Sequence, residues 1–205
     1  MYLYKDLKKN LAWFPQLKRG YYPVEINGQY GKDYWENYAR RTATDVGHAL
    51  NDARAHLVYK HVGHDPVVDI GIGSGGFIVA RDHASTRGYD VNPFAIQWLL
   101  ERGIWHDPYF IDPENATCWD SLEHMKHPED FVKRVRRHLF ISIPIFRDKD
   151  HALASKHFKP EEHFHYFTEP GLEFFMNKQG FKLIAKSRVE EELGREDIGT
   201  FVFGR

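Results

Sequence analysis

A single cysteine, Cys118, stands among the 205 residues, which excludes an intrachain disulfide and a zinc site built on several thiolates, and fits a reducing interior. An excess of either charge is also missing: 28 basic against 29 acidic residues give a formal charge of −1, so no global field draws the chain to nucleic acid or an anionic membrane. No apolar tract approaches the ~18 residues of a membrane span, and Met1-Tyr-Leu-Tyr-Lys-Asp-Leu-Lys-Lys9 is broken by charge where a signal peptide needs an apolar run. A cytoplasmic protein is the expectation. The G-x-S-x-G elbow and the G-x-x-x-x-G-K-[ST] loop are absent too, as are internal repeats and low-complexity linkers. What is present is aromatic: 15 Phe, 11 Tyr and 5 Trp within a 42% hydrophobic composition supply a sizeable core. The length allows one compact domain with a short elaboration.

The pattern divides near residue 44. Residues 1–44 hold Trp13, Phe14, Tyr21, Tyr22, Tyr30, Tyr34, Trp35 and Tyr38 among prolines and glycines, and read as an arm packed on the main domain or a lid over a ligand site. From 45 to 205, strand-like and helical stretches alternate. Val46, Leu50, Ala53 and Leu57 recur at helical spacing, and Pro66–Ile70 is a β-branched run. Thr86–Val91 forms a second strand, Asn92-Pro93 opens a helix that stops at Gly103, and Ala116–Trp119 is a further strand. A helix from Pro128 carrying Phe131, Val132, Val135 and Leu139 precedes a strand at 139–145, with Lys133, Arg134, Arg136 and Arg137 on its solvated side. Another helix over about 170–179 leads to strands at 181–185 and 199–203, which close the sheet as an antiparallel pair around a polar 190–197 stretch. The alternation predicts an α/β fold with an open, mostly parallel sheet.

Val67-Val68-Asp69-Ile70-Gly71-Ile72-Gly73-Ser74-Gly75-Gly76 is a buried strand entering a glycine-rich turn. The glycines satisfy both G-x-G-x-x-G and D-x-G-x-G-x-G, so they do not choose a cofactor. Asp69 does. A carboxylate buried at a strand end needs a cationic or hydrogen-bonding partner; a pyrophosphate repels it, whereas the ammonium of a methionine moiety suits it. Nineteen positions after Gly71, Asp90 ends the second strand, where an acid accepts both hydroxyls of a ribose.

With these residues the chain resembles the class I S-adenosylmethionine-dependent methyltransferases over roughly 65–205. The resemblance implies a Rossmann-like doubly wound sheet with a C-terminal antiparallel hairpin strand. It also implies that Asp69, Gly71, Gly73 and Gly75 hold the methionine part of S-adenosylmethionine and Asp90 its ribose. Asp112, after Tyr109-Phe110-Ile111 in the place of a third strand, would flank adenine, and Asp120 would lie near the methionine end. Asp120-Ser121-Leu122-Glu123-His124 places two carboxylates and an imidazole at i, i+3 and i+4, convergent on a helical turn. The segment is similar to the acid-x-x-Glu-His stretch of ubiquinone-pathway O-methyltransferases and small-RNA 2′-O-methyltransferases, which implies a divalent ion (Mg²⁺, Mn²⁺, Fe²⁺ or Zn²⁺) on Asp120, Glu123, His124 and His163, the last aligning better than His165. Without metal, His124 or His163 is the expected general base. The Asn/Asp-Pro-Pro-Tyr/Phe tetrapeptide of amino-methylating nucleic-acid enzymes is missing, its positional counterpart being Asp120–Glu123. The expected acceptor is therefore a hydroxyl of a small, partly apolar molecule. Two other readings remain: a nicotinamide-dependent oxidoreductase, disfavoured by Asp69, and a non-catalytic S-adenosylmethionine-binding protein.

Overall fold

The structure is a computed structural model that describes residues 31–159 and 162–205; the arm's residues 1–30 lie outside the described set. Its centre is β1 (Val67–Ile70), whose four residues are all buried, as a strand covered on both faces requires. β1 pairs in parallel with β2 (Thr86–Tyr89) on one side and with β3 (Asn115–Trp119) on the other. β4 (His138–Pro144) continues the parallel run, and β6 (Ile198–Gly204) then lies antiparallel between β4 and β5 (Lys182–Ser187). The order β2-β1-β3-β4-β6-β5 makes β1 the point where the chain turns to opposite sides, so its carboxyl end opens a crevice.

Both faces are covered. One packs Phe131, Val132, Leu172, Phe175 and Met176 against the sheet, the other Ala55, Val58, Val62 and Phe77. The helices start where their caps stand: Thr44 Oγ1 accepts from the Gly47 amide ahead of α2 (Asp45–Val62), after α1 (Lys32–Thr42). Asn92 caps α4 (Pro93–Glu101), which follows α3 (Gly76–Arg81), and Thr168 caps α7 (Glu169–Lys178). The remaining helices are the short α5 (Pro128–Val132), α6 (Lys149–Ala154) and α8 (Val189–Glu192). No helix among the described residues is long and apolar enough to cross a membrane.

Two expectations fail locally. The helix from Pro128 stops at Val132, because the Arg136 and Arg137 amides turn back to donate to the Pro113 and Glu114 carbonyls and bring the chain into register for β4. Its basic residues are spread over exposed ion pairs, Lys133–Asp130, Arg134–Asp112 and Arg137–Asp65, which solvent and salt screen. Tyr109–Asp112 is not a strand either: Asp107 Oδ1 accepts from the Tyr109 amide at 2.8 Å and folds the segment into a turn. On the side of β2 away from β1, the described residues form the isolated bridge Gly88–Trp105.

Candidate active site

Gly71, Gly73 and Gly75 all take left-handed backbone, with φ of 76°, 55° and 80°, while Gly76 begins α3. The spacing realised is thus the alternate-glycine one beginning at Asp69. Above the loop the space is filled: a Cβ on Gly75 would stand 2.6 Å from the Trp98 ring, and one on Gly73 2.9 Å from Tyr38. Gly75→Ala therefore combines backbone strain with overpacking, each costing about 1–3 kcal/mol. Thermal denaturation should show a melting temperature lower by roughly 5–10 °C; an unchanged value would mean that Trp98 yields freely.

Asp69, 1% exposed, accepts from Thr117 Oγ1 at 2.7 Å; burial raises its pKa to about 7 against the pull of Thr117 and Arg54. Asp90, at the carboxyl end of β2, accepts from the Asn92 amide at 2.8 Å. Burial lifts it to about 6, and the amides of Asn92, Val91, Gly73 and Ile72 draw it back toward the charged form. Two cavities meet here. One of about 510 Å³ runs along Tyr89, Asp90, Val91, Tyr109 and Met125; the other, of about 730 Å³, reaches Asp69, Arg54, Glu123 and His163. They share Gly71, Gly73, Trp119, Asp120 and His124, and α1 lends Tyr34 and Tyr38 to both.

A family model described as a methyltransferase domain matches residues 34–186. The chain belongs to that family. It is a class I methyltransferase whose cofactor is S-adenosylmethionine. Solved structures with this fold include magnesium protoporphyrin IX methyltransferase from Synechocystis with bound S-adenosylhomocysteine, at 14% identity and a TM-score of 0.54 over 84% of this chain and 97% of that one. A 1,6-didemethyltoxoflavin-N1-methyltransferase from Burkholderia thailandensis matches at 15% identity and TM-score 0.54, over 84% of this chain and 85% of that one. An S-adenosylmethionine-dependent methyltransferase from Archaeoglobus fulgidus matches at 15% identity and TM-score 0.56, over 82% and 99%. No curated protein matches significantly.

Within this methyltransferase, the sequence's acids part company. Asp112 stands outside the walls of both cavities: it pairs with Arg134 at 3.0 Å, carried there by the turn that replaces a third strand. Asp120 lines both cavities, but its Oδ2 pairs with Arg195 at 2.9 Å and Arg54 at 3.3 Å. Burial raises its pKa, and the two guanidiniums outweigh burial and hold it below the ordinary range. Arg54 Nε also donates to Glu190 at 2.8 Å, and Arg195 and Ser142 Oγ donate to the same fully buried carboxylate. Sequence reading had left Arg54, Glu190 and Arg195 out, since Arg54 and Glu190 lie 136 positions apart and no spacing joins them.

Glu123, His124 and His163 do meet. One ligand atom from each lies within 4.8 Å of the others, in a group that Asp120 does not join. The Glu123 carbonyl accepts from the Phe164 amide at 2.8 Å and so draws the 162–165 segment onto the 3₁₀ turn Leu122–His124. The His124 and His163 rings stand edge to face at 4.6 Å. His124 Nδ1 lies 3.1 Å from the Glu162 carbonyl, which only accepts, so this nitrogen carries the proton and the neutral ring's Nε2 is bare. Glu123 Oε2 and His163 Nδ1 are buried with no hydrogen-bond partner among the described residues. Burial pushes His163 down to about 2, with His124 adding to it; burial, then Asp120, pushes Glu123 well above the usual carboxylate range. His165 turns elsewhere, its Nε2 2.8 Å from the Met125 carbonyl.

Proposed function

We propose that this methyltransferase methylates a hydroxyl of a small, partly apolar acceptor, with the cofactor's adenosine in the 510 Å³ cavity and the acceptor in the 730 Å³ one. The observation that carries this is the meeting of the two cavities at the glycine loop on one side and His124 on the other. The cofactor's needs match what stands there. Gly71, Gly73 and Gly75 give the left-handed turn at the end of β1 that brings backbone to the crevice, Asp90 offers a carboxylate to ribose hydroxyls, and Asp69 offers one to the methionine ammonium. Asp120 at the junction braces Arg54 and Arg195. Methyl transfer from a sulfonium asks the protein mainly to align the nucleophile and exclude water, and Tyr34, Tyr38 and Trp119 form the apolar walls for that. The aromatic arm's described part, α1, acts as the cover: Thr42 Oγ1 and Ser74 Oγ lie 2.8 Å apart and pin its last turn to the glycine loop.

A hydroxyl must lose its proton as the methyl arrives, and the bare Nε2 of His124 is the acceptor best placed by its own hydrogen bond. The orphaned Glu123 Oε2 and His163 Nδ1 beside it fit a divalent ion on Glu123, His124 and His163. Two imidazoles and one carboxylate, with His124 Nδ1 anchored on a carbonyl, favour Mn²⁺, Fe²⁺ or Zn²⁺ over Mg²⁺. Such an ion supplies one thing: it lowers the pKa of an oxygen bound to it. Tag-free protein stripped with chelator and dialysed against Mn²⁺ or Zn²⁺ should retain about one equivalent by elemental analysis, and Glu123→Ala and His163→Ala should retain none. Equal, background retention by all three proteins would remove the ion and leave His124 as the base.

A further inference from the structure

Resting on the placement of the acceptor in the larger cavity, we propose that the acceptor carries an acid group, a carboxylate or phosphate, held by Arg41, Lys156 and Lys159. These cations line that cavity from two sides. Arg41 stands in the last turn of α1, on the covering side; Lys156 and Lys159 come from the segment that leads to His163. The His163 amide donates to the Lys159 carbonyl at 2.8 Å, which holds the two residues' backbones together. An acceptor with its hydroxyl at His124 and His163 thus meets Lys159 a few bonds further along.

The availability of the three cations distinguishes them from the other basic residues of the cleft. Arg54 and Arg195 are committed to Asp120 and Glu190, with at most 28% of either side chain exposed. Arg41 has no ion pair among the described residues; its guanidinium lies 5.7 Å from the Tyr38 ring centre. Lys156 reaches Glu196 at 3.5 Å and Lys159 reaches Glu162 at 3.1 Å, both exposed pairs that an incoming anion can displace at little cost. A neutral or cationic acceptor gives these groups no employment, whereas an acid gains a charge-assisted hydrogen bond from each.

The test uses the full chain saturated with S-adenosylhomocysteine in a zwitterionic buffer, and four probes differing in charge: benzoate, phenyl phosphate, phenol and benzylamine. Ligand-observed NMR titration should show the two anions binding more tightly than phenol and benzylamine. The ranking of benzoate against phenyl phosphate identifies the acid. In the R41Q/K156Q/K159Q variant anion binding should weaken tenfold or more, while S-adenosylhomocysteine affinity stays within twofold. Phenol or benzylamine binding as tightly as the anions, or unchanged anion binding by the variant, overturns the proposal. So does a large loss of S-adenosylhomocysteine affinity, which would assign the cations to the cofactor's own carboxylate. Failure of the wild-type chain to bind S-adenosylhomocysteine strikes the underlying placement instead, and is seen before any probe is added.

Discussion

Replacing Asp90 by alanine should weaken S-adenosylhomocysteine binding by about 10²–10⁴-fold. Two ribose hydroxyls donating to one carboxylate contribute about 1.5–3 kcal/mol each, and every 1.4 kcal/mol is a factor of ten. Isothermal titration reads the loss directly, with the melting temperature as the control for folding. The same carboxylate sets a pH dependence. Burial raises Asp90 to about 6, while hydroxyl donors favour its charged form, so binding must expel any proton it holds. Affinity should be level above about pH 8 and fall as pH drops through 7 and 6, by up to tenfold per unit for each of Asp69 and Asp90. Asp90→Asn should remove the part of that slope below pH 7 that Asp90 sets, since an amide does not titrate there, and leave the part set by Asp69. Wild-type affinity in either variant would take Asp90 out of the site.

The signs for stability run the other way. Asp69 and Asp90 have folded pKa values near 7 and 6 against an ordinary 3.8, so the folded chain holds protons that the unfolded chain has lost. The share of stability tied to these two acids is therefore lost as pH rises from about 4 through 7, while the buried His124, His163 and His165, pushed below the ordinary imidazole range, contribute stability that grows as pH rises toward 6.5. Cofactor affinity rises over the upper part of the same interval. The two acids are strained toward neutrality by burial and relieved by the ligand, which is the expected behaviour of groups placed for binding.

What could be read from the sequence is what local chemistry determines. A β-branched run entering alternate glycines, an acid at each of two strand ends and an Asn-Pro helix start all appear where the residues put them. The parallel run of strands follows from the alternation of elements, and the antiparallel close from the two strands around the polar 190–197 stretch. The errors lie where distant residues or an unusual backbone decide. Asp120, Glu123 and His124 were expected on one face of a helical turn. Asp120 instead has φ of 56°, left-handed for a residue with a side chain, and the turn that follows is a 3₁₀ turn beginning at Leu122. That break aims Asp120 at Arg54 and Arg195 while Glu123 and His124 face His163. Glu190 sits in a charged stretch, yet it is completely buried; only the packing of α8 against α2 and β6 brings it beneath the site.

Glu190 should accordingly be the costliest single side chain to remove. Its carboxylate serves Arg54, Arg195 and Ser142 at once, and the Arg54 side chain is only 9% exposed. Glu190→Ala leaves that guanidinium with Asp120 as its remaining acid and opens a cavity beside Thr200, which hydrogen-bonds to Ser142 at 3.0 Å. Breaking one side of a buried pair costs about 3–5 kcal/mol. For a chain of 205 residues this corresponds to a fall in melting temperature of roughly 10 °C. The interpretation rests on the double variant R54M/E190L, which removes both charges and keeps the volume: it should recover most of the lost stability, because the single variant's cost is chiefly an uncompensated charge and not a missing attraction. If Glu190→Ala melts within 2 °C of wild type, Arg54 is satisfied by Asp120 alone. Asp120 would then anchor the floor of the cleft unaided, and α8 would be a covering rather than a brace.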